Sequence, residues 1–308
     1  MQEQGTEEMQ KQESQNVQEE KPKKAVTVRK QKIKKSHIKA RLAFFLFLTA
    51  LLLLTVIFAE QICPYDPNAQ DNSLSLQPPG FAHPAGTDRF GRDMLSRIIV
   101  GLRTSVASTL TLVAIITIVG TAAGVLCGYF GGIADAVVMR ISDVCLAFPG
   151  LVFAMAIAAL LNGGISSAVF ALAMISWPKY ARIARSQTLA QKNADYISAA
   201  RLAGGSSLQI IIKHILPNSM GPVLVTSMLD IGTMMMELAG LSFLGLGAQP
   251  PTAELGNMMS GGRSMLQTYP WVIIGPGIAI FTAVVIFNLL GDTIRDYMDP
   301  GNAKSRQG

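Results

Sequence analysis

Charged residues are scarce in this sequence, making up only 15% of its 308 residues, whereas 50% are hydrophobic and the mean hydropathy is +0.36. Soluble domains carry about 25% charged residues, so this scarcity argues against an ordinary soluble enzyme. The hydrophobic residues form several runs of about 20, which as helices cross a hydrocarbon layer about 30 Å thick. The sequence therefore predicts an all-α membrane protein.

Chemistry-bearing motifs are also missing. The three cysteines, Cys63, Cys127 and Cys145, have no CxxC spacing, which excludes a disulfide framework or a zinc ribbon that could be read from sequence. The sequence has no Gly-x4-Gly-Lys-Ser/Thr phosphate loop, so any energy from ATP must come from a separate chain. No His, Glu and Cys cluster has catalytic metal spacing. We therefore expect a protein that is not an enzyme and has no cofactor, and leave open whether it contacts a metal.

The amino-terminal region combines a polar tail with a basic cluster. Residues 1–40 are rich in Gln, Glu and Lys, a composition typical of a disordered tail. The basic cluster Lys30–Arg41 directly precedes the first apolar run, which by the positive-inside rule predicts a cytoplasmic amino terminus. A nucleic-acid partner is disfavoured because these basic residues adjoin a membrane run and are not interleaved with aromatic residues.

The apolar runs predict six transmembrane helices with both termini cytoplasmic. A first anchor helix at 41–62 is followed by an extracytoplasmic segment at 63–101 and a five-helix core at 102–292. The predicted core helices are 102–125, 141–161, 165–177, 222–246 and 271–290, with a cytoplasmic loop at 180–218 and a cytoplasmic tail at 293–308. Gly120, Gly124 and Gly128 form a small-residue stripe that predicts close helix contact.

The cytoplasmic loop predicts a short protruding helix. Asn193 can cap it, Gly204 and Gly205 can form its left-handed end, and residues 208–216 can form a second helix. The small side chains of Ala199 and Ala200 leave room for a partner. A docking element for a soluble partner is one interpretation, and a helical hairpin on the membrane surface with no partner is the other.

Several motifs, in order along the chain, resemble those of one family. Ser198-Ala-Ala-x3-Gly204, followed by Ile215-Leu216-Pro217, resembles the EAA loop of binding-protein-dependent ABC importer permeases. Other stretches are similar to the peptide and nickel branch of that family, and the resemblance extends from Ile38 to Pro300; they include Gly86–Arg97, Arg140–Pro149, Leu241–Gly247, Pro251–Glu254 and Asn288–Pro300. Ser198 stands where the family usually has Glu, and His214 stands where it has an aliphatic residue.

The resemblance implies a permease subunit of a bacterial plasma membrane with a methionine-importer-like helical bundle. Its implied partners are a homologous second permease, two ATP-binding subunits, an extracytoplasmic solute-binding protein and membrane lipid. The residues implied to couple to the ATPase are Tyr196, Ser198, Ala199, Ala200, Arg201, Gly204, Gly205, Leu216 and Pro217. A membrane-embedded enzyme, or a receptor or scaffold not coupled to an ATPase, is the alternative.

Three residues of the fifth predicted helix are candidates for the transport pathway. Asp230 and Glu237 are charged within an apolar run and seven residues apart, hence near one helical face, with Met234 between them. One hypothesis is a cation route lined by carboxylates and a thioether. The other is that the acids pair with polar groups of neighbouring helices.

The sequence also bears on the substrate and on a histidine of the outer segment. Residues 229–235 resemble nickel-type permeases, whereas residues 247–252 are shared with peptide permeases; the balance slightly favours nickel, or a nickel chelate, over dipeptides or oligopeptides. His83 lies alone in the outer segment and is expected to be exposed and solvated.

Overall fold

The computed structural model describes residues 38–298, and within that range the regular secondary structure is helical, apart from one isolated β-bridge between Thr87 and Asp93. The predicted tail at 1–40 lies almost entirely outside the described residues, as does 299–308. The helices are α1 (Ile38–Ile57), α2 (Ala59–Ile62), α3 (Met94–Phe130), α4 (Gly132–Ala147), α5 (Gly150–Leu160), α6 (Ile165–Gln191), α7 (Asp195–Leu202), α8 (Ser207–Ile210), α9 (Leu216–Phe243), α10 (Leu255–Gly262) and α11 (Trp271–Met298).

Most spans are longer than their apolar runs because local caps set their ends. α3 begins at Met94 and not at 102, since the Asp93 carboxylate accepts a hydrogen bond from the Ser96 N–H at 2.7 Å. It ends at Phe130, and its C-cap Gly131 has a φ of +66°, a left-handed conformation that favours glycine. α11 likewise continues to Met298, past the predicted start of a tail at 293.

The predicted single helix at 141–161 is wrong, because the structure has two helices there. α4 and α5 meet at Phe148-Pro149 with a bend of 98°. A proline disfavours helical geometry in the preceding residue, and Phe148 is extended, with φ −99° and ψ 150°. This broken pair counts as one span only if both halves lie within the membrane.

The predicted fourth helix at 165–177 continues through Pro178 to Gln191. The Met174 carbonyl loses its usual backbone donor at Pro178, and the Cys145 thiol lies 3.9 Å from it as a substitute donor. Within the described range, four helices are long and apolar enough to cross a membrane, or five if the α4–α5 pair is one span. α6 is not among them because its second half carries charged residues, so the predicted count of six is not confirmed.

The glycine stripe brings α3 and α6 into close contact, as predicted. A Cβ atom on Gly120 would lie 2.6 Å from the Trp177 carbonyl oxygen, and one on Gly124 would overlap the Ala181 backbone. A Cβ on Gly128 would lie 2.8 Å from the Cβ of Thr188. α3 and α6 form the most extensive helix pair in the described chain, so this contact is the centre of the bundle.

The alternating helices gather the connecting segments at two ends of the bundle. At the α7 end, the Arg201 guanidinium lies 5.6 Å from the Tyr129 ring, and Arg41 lies 3.8 Å from Asp296. At the α10 end, the Trp271 indole N–H donates to the Thr87 carbonyl at 3.3 Å. The start of α1 therefore lies at the same end as α7, and residues 63–93 lie at the opposite end.

Candidate functional site

α7 is a separate short helix with a defined stop. Its N-cap is Ala194, which supplies no side-chain hydrogen bond, so the predicted capping role of Asn193 is wrong. At the other end, Gly204 has a φ of +84°, and its N–H donates to the Arg201 carbonyl at 3.0 Å. The Gly205 N–H donates to the Ala200 carbonyl at 3.0 Å, which completes a Schellman motif.

The two glycines have different roles. Only Gly204 has a positive φ, and a Cβ there would meet no atom within 4 Å. A Cβ on Gly205 would lie 2.8 Å from the Ala200 carbonyl oxygen, so this position needs glycine for close approach.

One side of α7 is anchored and the other is exposed. Ile197 is fully buried in the main hydrophobic core, and Ala200 packs against that core. Ser198, Ala199 and Arg201 are exposed, as is Tyr196, whose hydroxyl donates to the Gln191 amide oxygen at 3.2 Å.

Leu202 was not among the residues predicted from the sequence, yet it is 90% exposed at the tip of α7. Leu208, just beyond the turn, is also exposed. The turn that ends α7 thus has an exposed leucine on each side. The sequence could have indicated them through their position next to Gly204 and Gly205. These glycines end α7, so no further helical turn covers the two leucines.

A continuous helical rod joins the α7 turn to the membrane bundle. Ser206 and Gln209 form a reciprocal capping box at the start of α8. α8 continues through a π-helical turn, Ile211–Ile215, into α9. Leu216 is half-buried and Pro217 is exposed in the first turn of α9. Pro217 has no N–H for the Lys213 carbonyl, which accounts for an irregular turn immediately before it.

Asp230 is buried in the bundle and paired with α6. The Lys179 ammonium lies 2.7 and 2.8 Å from its two carboxylate oxygens, and the Tyr180 hydroxyl donates to it at 2.9 Å. The side chain of Asp230 is 8% exposed and that of Lys179 is 51% exposed. Asp230 thus pairs with polar groups of a neighbouring helix, and its role in lining the pathway stays a prediction.

Glu237 and Met234 lie further along α9 towards the α10 end. Met234 is buried, whereas Glu237 is half-buried and has no hydrogen-bond or ion-pair partner within residues 38–298. In the same range, no group of three or more His, Cys, Asp and Glu side chains is placed to hold a metal ion.

Two further ion pairs hold α6 against α4. Arg185 donates from Nε and Nη2 to the two carboxylate oxygens of Asp135, both at 2.6 Å. Arg182 donates to Asp143 at 2.6 Å. Together with Lys179, these cations explain why α6 can lie in the bundle with a polar second half.

The prediction for His83 is wrong. Its side chain is buried, and its Nδ1 lies 2.8 Å from an oxygen of Asp93, the residue that caps α3. The His83 ring also packs 4.9 Å from the ring of Tyr65. The histidine is thus a structural part of the outer segment and not a solvated side chain.

Comparisons with known proteins agree with this geometry. Residues 120–304 match the family model of the binding-protein-dependent transport system inner membrane component. The probable D,D-dipeptide transport system permease protein DdpC of Escherichia coli K12 is 44% identical over 81% of this chain and 84% of its own length. The dipeptide permease protein DppC of Haemophilus influenzae is 39% identical over 79% of this chain and 85% of its own.

Another curated relative and one solved structure are also similar to this chain. The glutathione permease protein GsiD of Pectobacterium atrosepticum is 43% identical over 82% of this chain and 85% of its own length. A chain of the inward-facing MetNI methionine ABC transporter covers 67% of this chain and 98% of that one, with a TM-score of 0.53 and 20% identity, which shows a shared fold. The chain therefore belongs to the binding-protein-dependent transport system inner membrane component family: it is an ABC importer permease subunit of the bacterial inner membrane, and separate subunits carry ATP hydrolysis.

Proposed function

We propose that this permease imports short peptides, which an extracytoplasmic binding protein delivers, and that two ATP-binding subunits drive it through α7. A homologous second permease completes the membrane part. The observation that carries the proposal is the exposed, rigidly terminated α7, which joins directly to the rod that continues as α9.

The exposed surface of α7 supports docking of an ATP-binding subunit. Ser198 and Ala199 are small, so a partner can approach the helix backbone closely, and Leu202 offers an apolar contact at the tip. Ser198 cannot supply the negative charge that a Glu would. We therefore infer that apolar and backbone contacts contribute more here than an ion pair does.

The charge distribution supports a cytoplasmic α7 end and cytoplasmic termini. The start of α1, which overlaps the basic cluster Lys30–Arg41, lies at this end, and so do Lys192, Arg201 and Lys213. At the α10 end, Arg103 pairs with Glu60. By the positive-inside rule, these basic residues support a cytoplasmic α7.

The substrate class rests on the relatives, whose names give dipeptides, D,D-dipeptides and glutathione. These names give no support to nickel, which the sequence slightly favoured. Asp230, one of the two acids of the proposed cation route, is already neutralised by Lys179. Glu237 and Met234 remain candidates for lining the pathway, with Glu237 able to face a substrate ammonium group.

Docking can be tested by co-purification of the cognate ATP-binding subunits with Leu202→Asp. The matched control is Phe81→Asp, which changes a fully exposed apolar residue at the α10 end. We expect Leu202→Asp to lose most of the ATP-binding subunit and Phe81→Asp to retain it. Full retention by Leu202→Asp would contradict docking through the α7 tip.

The substrate class can be tested in proteoliposomes that contain the complete complex and its binding protein. We expect ATP-dependent uptake of labelled dipeptide and no ATP-dependent uptake of nickel ions. Uptake of nickel alone would refute the peptide proposal.

A further inference from the structure

A cavity of about 320 Å³ lies at the α10 end, separate from α7 and from Asp230. It is bounded by the turn before α3, by Pro250, by α10 and by the start of α11. Its size falls in the lower part of the range for ligand pockets, about 300–1,000 Å³. Met258 and Val272 give it an apolar wall, and Asn257 adds an amide.

Three arginines line this cavity, against one carboxylate. Arg89, Arg92 and Arg97 line it together with Asp88, so the lining has an excess of positive charge. The Asp88 carboxylate is already paired within the protein, because it accepts hydrogen bonds from Arg92 Nε at 2.7 Å and from the backbone N–H of Phe90 at 2.8 Å.

The arginines are held in place by the fold. Arg92 and Arg97 are buried, and Arg97 Nη1 donates to the Pro67 carbonyl at 2.9 Å. The guanidinium groups of Arg89 and Arg92 lie 4.7 and 4.6 Å from the centre of the Phe90 ring. Phe90 thus orients two cations at one cavity.

Of the three arginines, Arg89 has guanidinium N–H groups that are free to bind a ligand. Its side chain is exposed and forms no ion pair or hydrogen bond with the residues that the structure describes, whereas its backbone carbonyl accepts from the Ser75 hydroxyl at 2.9 Å. The nearby helix N-termini are already satisfied, since Asp93 caps α3 and Glu254 caps α10. An incoming anion would therefore be bound by guanidinium groups, which suit the planar, two-oxygen geometry of a carboxylate.

We propose that this cavity is a carboxylate subsite that holds the C-terminal carboxylate of a peptide at the outer side of the permease. The inference rests on the proposed function, since it names the part of the substrate that this subunit recognises. Arg89 supplies the principal contact, with Arg92 and Arg97 setting the positive potential behind it. The phosphate of an anionic lipid headgroup is the other anion source that could reach this end of the bundle.

The test measures binding of alanyl-alanine to the purified complex in phosphatidylcholine nanodiscs, without binding protein, by saturation-transfer difference NMR. The variants are Arg89→Gln and Arg89→Lys. The control is Arg263→Gln, which removes an exposed arginine at the same end that does not line the cavity.

We expect Arg89→Gln to weaken alanyl-alanine binding about tenfold, the loss of one charge-assisted hydrogen bond. Arg89→Lys should recover part of it, and Arg263→Gln should bind like the unaltered protein. Alanyl-alanine amide should bind weakly to all of them, because it lacks the carboxylate.

Equal binding of the acid and the amide would overturn the proposal, as would an Arg89→Gln variant that binds normally. Loss of the alanyl-alanine signal when phosphatidylglycerol is added to the nanodiscs would assign the cavity to a lipid headgroup instead. ATP-dependent dipeptide uptake by the same complex distinguishes failure of the subsite from failure of the proposed function. Uptake without subsite binding overturns only the subsite, and absence of uptake overturns the proposed function.

Discussion

The ion pair between Lys179 and Asp230 predicts that its two partners tolerate substitution unequally. Lys179→Met leaves a buried carboxylate with only the Tyr180 hydroxyl as a donor. Asp230→Asn leaves an ammonium group that is half-exposed and can be hydrated, and the new amide oxygen can still accept from Tyr180. Because an unpaired buried charge is the costlier defect, Lys179→Met should destabilise the permease more.

The magnitudes follow from the geometry. At 2.7 Å, unit charges attract by about 6 kcal/mol for an effective dielectric constant of about 20, and desolvation offsets much of this. We expect a loss of about 3 kcal/mol for Lys179→Met, at the low end for a broken buried pair because the lysine side is open to water. Asp230→Asn should lose about 1.5 kcal/mol of stability, which is typical for the loss of one charge-assisted hydrogen bond. The double variant should lose about 2 kcal/mol, which gives a coupling energy of about 2.5 kcal/mol.

The assay is denaturant-induced unfolding of the purified complex in one detergent, with all four proteins of the cycle compared. Lys192→Met is the control, since the Lys192 ammonium donates to the Gly128 carbonyl at 3.2 Å and its loss leaves no buried charge. We expect that control to lose less than about 1 kcal/mol. Equal losses for Lys179→Met and Asp230→Asn, or additive losses in the double variant, would refute a buried ion pair.

Two further predictions concern packing and capping. Gly124→Ala should destabilise the complex by about 1–3 kcal/mol in the same unfolding assay, because the new methyl group overlaps the Ala181 backbone. The control Gly240→Ala, inside α9 with no atom within 4 Å of its Cβ, should be neutral or stabilising. A larger loss of stability for Gly240→Ala than for Gly124→Ala would contradict the close contact. Glu254→Ala should cost about 2 kcal/mol, since the buried carboxylate accepts from the Gly256 and Asn257 N–H groups and from the Ser105 hydroxyl; unchanged stability would show that these donors find other partners.

The features that the sequence predicted well are those set by local chemistry. The glycine stripe on α3 predicted the close contact with α6 because only a missing side chain permits backbones to approach so closely. Gly204 predicted the stop of α7 because a φ of +84° favours glycine. The positions of Asp230 and Glu237 on one face of a helix likewise followed from spacing alone.

The features that sequence did not predict depend on contacts between distant residues. Hydropathy cannot show that α6 keeps a charged half in the bundle, because Asp135, Asp143 and Asp230, which bind its cations, lie far away in the chain. The burial of His83 depends on Asp93 and Tyr65, which residues 63–93 bring together by folding over the start of α3.

The bend at Phe148-Pro149 is a different case, since the proline was visible in the sequence. Pro178 and Pro222 lie within α6 and α9 without such a break. At Pro178, the Cys145 thiol lies 3.9 Å from the Met174 carbonyl that lacks its usual backbone donor. A proline alone therefore does not decide whether a helix ends.

The same contacts suggest how motion at α7 reaches the membrane. The capping box at Ser206, the π-helical turn and Pro217 connect the α7 turn to α9 without an intervening loop, so a push on Leu202 acts on α9 directly. Asp230 then ties the middle of α9 to α6, and Arg185 ties α6 to α4. A displacement of α7 must either move these three helices together or break an ion pair. Because breaking the Lys179–Asp230 pair would leave a buried carboxylate with only the Tyr180 hydroxyl as a donor, concerted movement of α9 and α6 is the lower-energy response, and α4 follows through its more exposed pair with Arg185.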